Sequence, residues 1–510
     1  MNRPRERRAG RAVAVAAPWF CLTALAGICL TALAAGCQNG ATDAATRTAS
    51  WPADCRSLAR PDSLGMDGAR EAHRRAARRH ELRLREAAAP GSFLRGVRGA
   101  IEPERMASGG VCLADIADWG ELVFEHEYGF ADGLGGGDGA SSPRGPFRRV
   151  HEGLFGGPET ISCASCHWVG GPHGAGAETD NAILIGDGDR VGSGDARNPQ
   201  ALLGLGVVQA LAREMTSELQ RRRAELTSGG AGAEVRLVTK GVDFGVLRLA
   251  ADGTVDTSGV RGIDADLVVK PFGWKGNFAE IADFAADALQ VHLGVQSERL
   301  GVASEDEIGA AAFTALVAHL ALLELPIVAP LVQKHDLGPA ATGLIAPTTS
   351  SFAEDFARGR QIFHEIGCAG CHVPMMVLEE PNLTLDGLPE IDLATSMREP
   401  ALRSDEALGG YPVWLFSDLK RHDMGEGNAA RHPQRGVPRR DYMTPRLWGV
   451  ADSAPYLHDG RAPSFDYAIG GHDGEAAAAR AAFTELSREA QGSLRVYLMS
   501  LRRESRLIVP

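Results

Sequence analysis

Two copies of the pentapeptide Cys-x-x-Cys-His constrain this 510-residue chain more than any other feature, and they occupy residues 163–167 and 368–372. The spacing is that of a covalent c-type haem site, in which two thiols bond to the haem and the histidine binds its iron. Zinc knuckles and thioredoxin-like dithiols also contain Cys-x-x-Cys. Here both copies carry the histidine and neither has a second Cys-x-x-Cys nearby, so we predict two covalently bound haems. The predicted haem-binding residues are Cys163, Cys166, His167, Cys368, Cys371 and His372.

The first 36 residues have the pattern of an export signal. Five arginines between Arg3 and Arg11 precede an apolar run from Val13 to Ala35. The run ends in a sequence that resembles a lipobox, in which Cys37 becomes the lipid-modified first residue of the mature chain. Because c-type haem is attached outside the bacterial inner membrane, we expect a periplasmic protein anchored to a membrane by lipid at Cys37. A soluble periplasmic product and an uncleaved membrane anchor are the alternatives.

Two cysteines, Cys55 and Cys112, lie outside the haem motifs, the signal segment and the lipobox. In an oxidising compartment they form either a disulfide that ties down the N-terminal extension or two buried free thiols. The sequence leaves both alternatives open.

The chain is acidic overall, with a formal net charge of -12. It therefore lacks the basic surface of nucleic-acid-binding proteins, and we expect no nucleic-acid partner. An acidic surface suits a basic, soluble electron donor. We expect a small electron-donor protein, such as a cytochrome c or a cupredoxin, or a quinol pathway.

Periodicity and turn residues predict a mainly α architecture with two cytochrome c-like domains in tandem. The signal peptide (1–36) is followed by an N-terminal extension (37–145), an N-terminal haem domain (146–345) and a C-terminal cytochrome c domain (346–510). Short alternating runs separated by glycine turns predict a small β insertion at about 234–270 in the first haem domain. The predicted helices cover residues 68–88, 197–223, 278–293, 304–325, 352–366 and 488–502.

A further set of motifs runs through the C-terminal half of the chain. They occupy residues 272–276, 417–419, 422–425, 444–449, 455–461 and 472–476. Together with the two pentapeptides, they resemble the di-haem oxidoreductase, putative peroxidase branch of the bacterial di-haem cytochrome c peroxidase superfamily. The resemblance covers roughly residues 153–501. It implies an enzyme that passes electrons from the C-terminal haem to the N-terminal haem, which reduces hydrogen peroxide or oxidises another substrate.

The resemblance also implies the second axial ligand of the C-terminal haem. In the peroxidases this ligand is a methionine, fourteen residues after the histidine of the His-Asp-Gly motif. That histidine is His458 here, and the ligand position holds His472. The haem is then ligated by His372 and His472, and it has a lower potential than a haem with a thioether ligand. The alternative is that His472 is a loop histidine and that Met424 or another methionine is the ligand.

The N-terminal haem of a peroxidase needs an open or openable iron position, an acid or base, and a polarising donor. His173 is a candidate sixth iron ligand or a surface histidine. The resemblance makes Asn198 a candidate Ca²⁺ ligand, and a plain turn residue is the alternative. Gln209 and Glu214 on the following helix are candidate catalytic groups or ordinary exposed helix residues.

Two other functions are compatible with two haems. A pure electron-transfer cytochrome has both irons six-coordinate and no substrate. A biosynthetic oxidase like the methylamine-utilisation di-haem enzyme has a tyrosine at the position of His472, which argues against it here. The peroxidases also place a tryptophan between the haems where this chain has Arg213. Trp274 and Trp448 are therefore candidate electronic bridges, and the alternative is that they are packing residues.

Overall fold

The computed structural model describes residues 50–51, 77, 80–81, 84–89, 91–135, 158–187, 190–230, 232–300, 306–326, 352–398 and 402–503. The predicted signal peptide, Cys37, Cys55 and most of the predicted 68–88 helix lie outside these residues. The described residues belong to one compact unit that spans residues 48–510. The predicted domain boundaries stay predictions.

The described part of the chain is mostly helical, as predicted, with several small sheets. Its α-helices are α1 (Ser92–Ala100), α2 (Pro103–Ala107), α3 (Leu113–Glu125), α4 (Leu205–Thr227), α5 (Ile281–Ala288), α6 (Ala310–Ala321), α7 (Phe352–Glu365), α8 (Leu393–Ser396), α9 (Phe465–Gly470), α10 (Ala477–Glu485) and α11 (Arg488–Met499). Within the described ranges, no helix combines the length and the apolar character needed to cross a membrane.

The predicted β insertion is a three-stranded antiparallel sheet. It contains β3 (Glu234–Thr239), β4 (Val242–Leu249) and β5 (Val255–Asp256), with β4 in the centre. Its alternating buried positions, such as Leu237, Phe244 and Leu247, are fully buried, which explains the period-two pattern in the sequence.

The other strands form two-stranded antiparallel pairs. These are β1 (Ala182–Leu184) with β2 (Asp195–Arg197), β6 (Met376–Leu378) with β9 (Tyr411–Val413), β7 (Asn382–Leu383) with β8 (Ile391–Asp392), and β10 (Arg421–Asp423) with β11 (Asp441–Met443).

Helices α3 and α6 pack closely beside the first haem motif. Gly120 makes this possible, because a Cβ atom there would overlap the Ala315 carbonyl oxygen and the His319 Cβ atom of α6. The close approach brings Phe124 of α3 next to the ring of His319. One side of the first haem site is therefore formed by two helices that are far apart in the sequence.

Helices α7 and α11 form the corresponding pair beside the second haem motif. The ring of Tyr497 on α11 lies 5.2 Å from that of Phe356 and 5.4 Å from that of Phe363 on α7, centroid to centroid. A Cβ atom at Gly359 would overlap the Ser493 carbonyl oxygen. The order of helix, pentapeptide, loops and final helix is the one predicted for a cytochrome c domain.

Several helix boundaries differ from the predictions, and the largest differences are in three helices. Helix α4 begins at Leu205 and not near residue 197, because β2 occupies Asp195–Arg197 and Gly204 has a left-handed φ of 68°. Helix α6 begins at Ala310, after Gly309, and ends at Ala321, so it is shorter at both ends than the predicted 304–325 helix. Helix α5 begins at Ile281 and continues as a π turn at Leu289–Leu293.

Cys112 is disulfide-bonded. It is therefore not a free thiol, which was one of the two alternatives for this cysteine. Its predicted partner, Cys55, lies outside the described residues.

Candidate haem-binding sites

The second pentapeptide and the predicted second axial ligand face each other across a cavity of about 390 Å³. Cys368, Cys371, His372 and His472 all line this cavity. The ring centroids of His372 and His472 are 6.4 Å apart, with 58° between the ring planes. A metal–imidazole bond is about 2 Å long, so two rings that ligate one iron from opposite sides have centroids roughly 6 Å apart. The observed separation therefore fits a bis-histidine haem.

Backbone carbonyl groups orient both rings. Nδ1 of His372 donates to the carbonyl oxygen of Phe416 at 3.1 Å, and Nδ1 of His472 donates to that of Ala468 on α9 at 2.8 Å. A carbonyl oxygen only accepts, so the proton is on Nδ1 and the Nε2 lone pair is left for a metal. Hydrogen bonds of this kind are typical of histidines that ligate metals.

The protonation states at this site also suit a metal ligand. Burial, with a contribution from the neighbouring His472, lowers the pKa of His372 to about 4. Burial also lowers the pKa of His472 below its usual value. Both rings are therefore neutral at neutral pH, and neutral imidazole is the form that binds iron. Burial raises the pKa of the Cys368 thiol to about 11.

The first pentapeptide has the same local geometry. Nδ1 of His167 donates to the carbonyl oxygen of Gly174 at 3.2 Å, which again leaves Nε2 for a metal. Burial lowers the pKa of His167 to about 4 and raises that of Cys163 to about 12. The motif is held against α3, because the backbone N–H of Ala164 donates to the carbonyl oxygen of Phe124 at 3.3 Å.

His173 is buried and belongs to a pair of histidines, so the alternative that it is a surface residue is wrong. It is 5% exposed, and its Nε2 atom is 2.9 Å from Nε2 of His319, which is 1% exposed. The Phe124 ring centroid lies 6.4 Å from that of His167, 4.6 Å from that of His173 and 5.8 Å from that of His319. Burial lowers the pKa of both paired histidines. Whether His173 binds iron stays a prediction.

Comparison with known families agrees with this geometry. Residues 269–501 match the profile of the family described as "Di-haem oxidoreductase, putative peroxidase". This part of the chain belongs to that family. The match includes the second pentapeptide and His472, whereas the first pentapeptide lies before it. The family resemblance predicted from the motifs is thereby confirmed, and the family name implies two haems.

No curated protein matches the chain. Among solved structures, the chain is similar to one described as "Crystal structure of a MauG-like protein associated with microbial copper homeostasis". The identity is 16%, the match covers 51% of this chain and 77% of that chain, and the TM-score is 0.24.

The di-haem oxidoreductase region contains a charged histidine that the sequence reasoning missed. His422 lies between two carboxylates, with Nε2 2.8 Å from Asp418 Oδ2 and Nδ1 2.8 Å from Glu475 Oε2. Burial opposes its charge, but the hydrogen bonds, of which that to Asp418 is the largest, raise the pKa of His422 to about 11. Its Nδ1 atom is 3.9 Å from Cys371 Sγ, so a positive charge lies beside the second haem site. The sequence presents residues 422–425 only as part of a motif and gives no role to the histidine.

Asn198 connects the loop after the first pentapeptide with the region that matches the di-haem oxidoreductase family. Its backbone carbonyl accepts from Trp274 Nε1 at 2.7 Å, and its backbone N–H donates to the carbonyl of His458 at 2.8 Å. Its buried side-chain Nδ2 donates to the Gly176 carbonyl oxygen at 3.0 Å and to Asn181 Oδ1 at 3.0 Å. Oxygens of these types are common Ca²⁺ ligands. A calcium ion at Asn198 stays a prediction.

Gln209 and Glu214 have structural partners and are absent from the cavity between His372 and His472. Gln209 is fully buried, so it is not an exposed helix residue. Its Nε2 donates to Glu280 Oε2 at 2.6 Å, and its Oε1 accepts from the first backbone N–H of α5 at 2.7 Å. Glu214 accepts from the backbone N–H of Glu380 at 2.9 Å and pairs with Lys240 Nζ at 2.8 Å. Their predicted catalytic roles are untested.

Proposed function

We propose that this chain is an exported di-haem c-type oxidoreductase of the peroxidase-like type. It receives electrons at a C-terminal haem bound by His372 and His472 and uses them at an N-terminal haem bound by His167. There it reduces hydrogen peroxide or oxidises another substrate. The observation that carries the proposal is the separation of His372 and His472 across a cavity that both cysteines of the second pentapeptide also line.

The residues of the second site would have three roles toward a bound haem. Haem supplies one-electron redox chemistry, and the chain supplies attachment, orientation and charge. Cys368 and Cys371 are the attachment thiols, and the carbonyl groups of Phe416 and Ala468 fix the ring orientations of the two ligands. The positive charge of His422 favours the reduced, less positive state of this centre, which offsets part of the low potential that two imidazoles give.

Trp274 is the proposed bridge between the two sites. Its ring lies 6.5 Å from that of His458, centroid to centroid, and both side chains line the cavity of the second site. Its Nε1 donates to Asn198, and the next residue, Pro199, accepts from the backbone N–H of Gly176 in the loop after the first pentapeptide. Contacts at Trp274 thus reach both haem sites.

His173 and His319 are the proposed polar groups of the first site. Both rings are neutral, so one Nε2 donates and the other accepts. A pair of this kind can release or take up a proton next to a reacting oxygen atom. The same burial supports the alternative function, because a buried histidine is well suited to be a permanent sixth iron ligand. If His173 binds iron in this way, the protein is a pure electron-transfer cytochrome without a catalytic site.

Electron paramagnetic resonance of the purified ferric protein separates the two functions. We expect one high-spin signal from the N-terminal haem, one low-spin signal from the bis-histidine haem, and a spectral change when hydrogen peroxide is added. Two low-spin haems that do not respond to peroxide would contradict the enzyme and support the electron-transfer cytochrome.

The proposed location is the periplasm, with a lipid anchor at Cys37. The proposed partner is a small electron-donor protein, such as a cytochrome c or a cupredoxin, or a quinol pathway. The signal-like N-terminus and the net charge of -12 support both statements.

A further inference from the structure

A cluster of three ligand-type side chains lies in the N-terminal extension, outside both haem sites. Glu86, His126 and Asp132 each offer one ligand atom, and these atoms lie within 4.8 Å of one another. Residues 84–88 are helical, His126 directly follows α3, and Asp132 ends a short 3-10 turn. The cluster therefore joins three separate segments of the chain. It also lies outside the range that matches the di-haem oxidoreductase family.

The cluster contains a buried carboxylate oxygen without a partner. The side chain of Asp132 is 0% exposed and that of His126 is 6% exposed. Asp132 Oδ2 is 3.0 Å from His126 Nε2 and accepts from the backbone N–H of Gly129 at 3.0 Å, whereas Oδ1 has no hydrogen-bond partner. An unpaired carboxylate oxygen is costly to bury, and such groups in folded proteins usually have a hydrogen bond or an ion as partner. Oδ1 belongs to the same carboxylate that contacts His126, so it lies at the cluster.

Contacts around the cluster hold its ligands in place. Glu86 accepts from the backbone N–H of Gly91 at 2.6 Å and from that of Phe93 at 2.8 Å. The His126 ring stacks on the Phe93 ring, with centroids 4.1 Å apart and 11° between the planes. Pre-organised ligands with surrounding hydrogen bonds are characteristic of metal sites.

We propose that Glu86, His126 and Asp132 bind one divalent metal ion such as Zn²⁺. Two carboxylates and one imidazole form a mixed oxygen and nitrogen ligand set, which suits Zn²⁺ and its neighbours better than Ca²⁺ or Mg²⁺, which prefer oxygen alone. Two neighbouring carboxylates also repel each other, and a dication removes this repulsion. Three protein ligands leave room for a water molecule as the fourth.

The metal site is connected to the first haem motif through Tyr128. The Tyr128 ring lies 4.8 Å from that of His126, centroid to centroid. Its backbone N–H donates to the carbonyl oxygen of Ile161 at 2.8 Å, two residues before Cys163. A bound ion that fixes His126 and Asp132 therefore also restrains the segment that carries the first haem. We expect metal removal to lower the thermal stability of the protein.

The test uses the purified haem-loaded protein. Metal is removed with a chelator, and Zn²⁺ is then added. The zinc that remains after dialysis is measured by elemental mass spectrometry, with haem iron as the internal reference. We expect about one zinc per chain and a higher Tm with Zn²⁺ than without it. No retained zinc would overturn the proposal and would leave His126 and Asp132 as a buried pair without a metal.

Three variants locate the site. His126→Gln, Asp132→Asn and Glu86→Gln are each expected to weaken zinc binding at least tenfold. The matched control is Asp115→Asn, which changes an exposed carboxylate on α3 and should bind zinc like the wild type. Zinc binding that is equal in all four variants would place the ion elsewhere and overturn the proposal. Glu86 is the least buried of the three ligands, so its variant remains informative if the other two do not fold.

Discussion

At the scale of single residues, the second axial ligand has the largest electronic effect, because imidazole and thioether ligands give haem iron different potentials. The Ala468 carbonyl holds His472 with Nε2 free, and its ring is at the right separation from His372. We therefore attribute a low potential to the C-terminal haem.

Replacing His472 by Met tests this ligand. The midpoint potential of one haem should rise by on the order of 0.1 V, a fraction of the roughly 0.8 V over which axial ligands set haem potentials. A redox titration followed by absorbance measures the change. His364→Met, at an exposed histidine, is the control and should leave both potentials unchanged. An unchanged titration of the His472 variant would indicate Met424 or another residue as the ligand.

His422 should make the free energy of unfolding depend on pH. Burial opposes its charge, but hydrogen bonds to Asp418, the larger of the two, and to the Cys371 thiol raise its pKa from the ordinary value of 6.5 to about 11. A haem bonded to Cys371 removes the second hydrogen bond, and the one to Asp418 keeps the pKa raised. The folded state then binds the proton more tightly, so the stabilisation is complete below pH 6.5 and is lost as the pH rises from 6.5 towards 11. Chemical denaturation should show that the free energy of unfolding of the wild type falls towards that of His422→Gln across this pH range. A difference in the free energy of unfolding between wild type and His422→Gln that does not change with pH would contradict the charged pair of His422 and Asp418.

The haem-binding residues can be predicted from the sequence alone, because their spacing is local and determined by covalent chemistry. The sequence could not place the buried pair of His173 and His319, which are 146 residues apart and meet only because α3 packs against α6. It also gave no role to His422, whose raised pKa depends on hydrogen bonds to Asp418 and to Cys371, the latter 51 residues away. Contacts of this kind depend on tertiary packing, which leaves no local pattern.

At the scale of secondary structure elements, close helix packing beside each haem motif depends on a glycine. A methyl group at Gly359 would overlap the Ser493 carbonyl oxygen and lie 2.8 Å from Tyr497 Cβ, whereas at Gly492 on α11 no atom lies within 4 Å. Gly359→Ala should lower the free energy of unfolding by about 1–3 kcal/mol because it overpacks the contact between α7 and α11. Gly492→Ala should raise it by up to about 1 kcal/mol because alanine favours the helix. Equal effects in denaturant titrations would show that the helices are not in close contact.

Elements with strong periodicity were predicted more accurately than elements interrupted by turns. Helix α7, predicted at 352–366, is found at Phe352–Glu365, and the β insertion is found within its predicted range. Helix α4 begins later than its periodicity predicts, because residues 195–197 pair as a strand with Ala182–Leu184. Strand pairing between distant segments cannot be read from helical periodicity.

At the scale of the whole molecule, the proposed function requires electrons to pass between sites 205 positions apart in the sequence. We expect Trp274→Phe to slow the oxidation of the pre-reduced C-terminal haem by peroxide, because the variant loses both the indole ring and its hydrogen bond to Asn198. Trp448→Phe is the matched control, since Trp448 lines the same cavity and should leave this rate unchanged. Stopped-flow absorbance measures both rates. A slower rate in the Trp448 variant alone would reverse the assignment.

Contacts between distant segments are the part of the structure that is hardest to predict from the sequence. The tandem motifs predicted two haem domains, but the contacts of Asn198 with Trp274 and His458 connect segments 76 and more positions apart. The metal site proposed in the extension also depends on three separate segments, and its sequence gives no motif.

The mass of the intact purified chain tests the central claim most directly. After maturation with the c-type haem attachment machinery, the chain should carry the mass of two haems under denaturing conditions. A chain with the mass of the bare polypeptide, or of the polypeptide with one haem, would contradict the claim that both pentapeptides bind haem covalently.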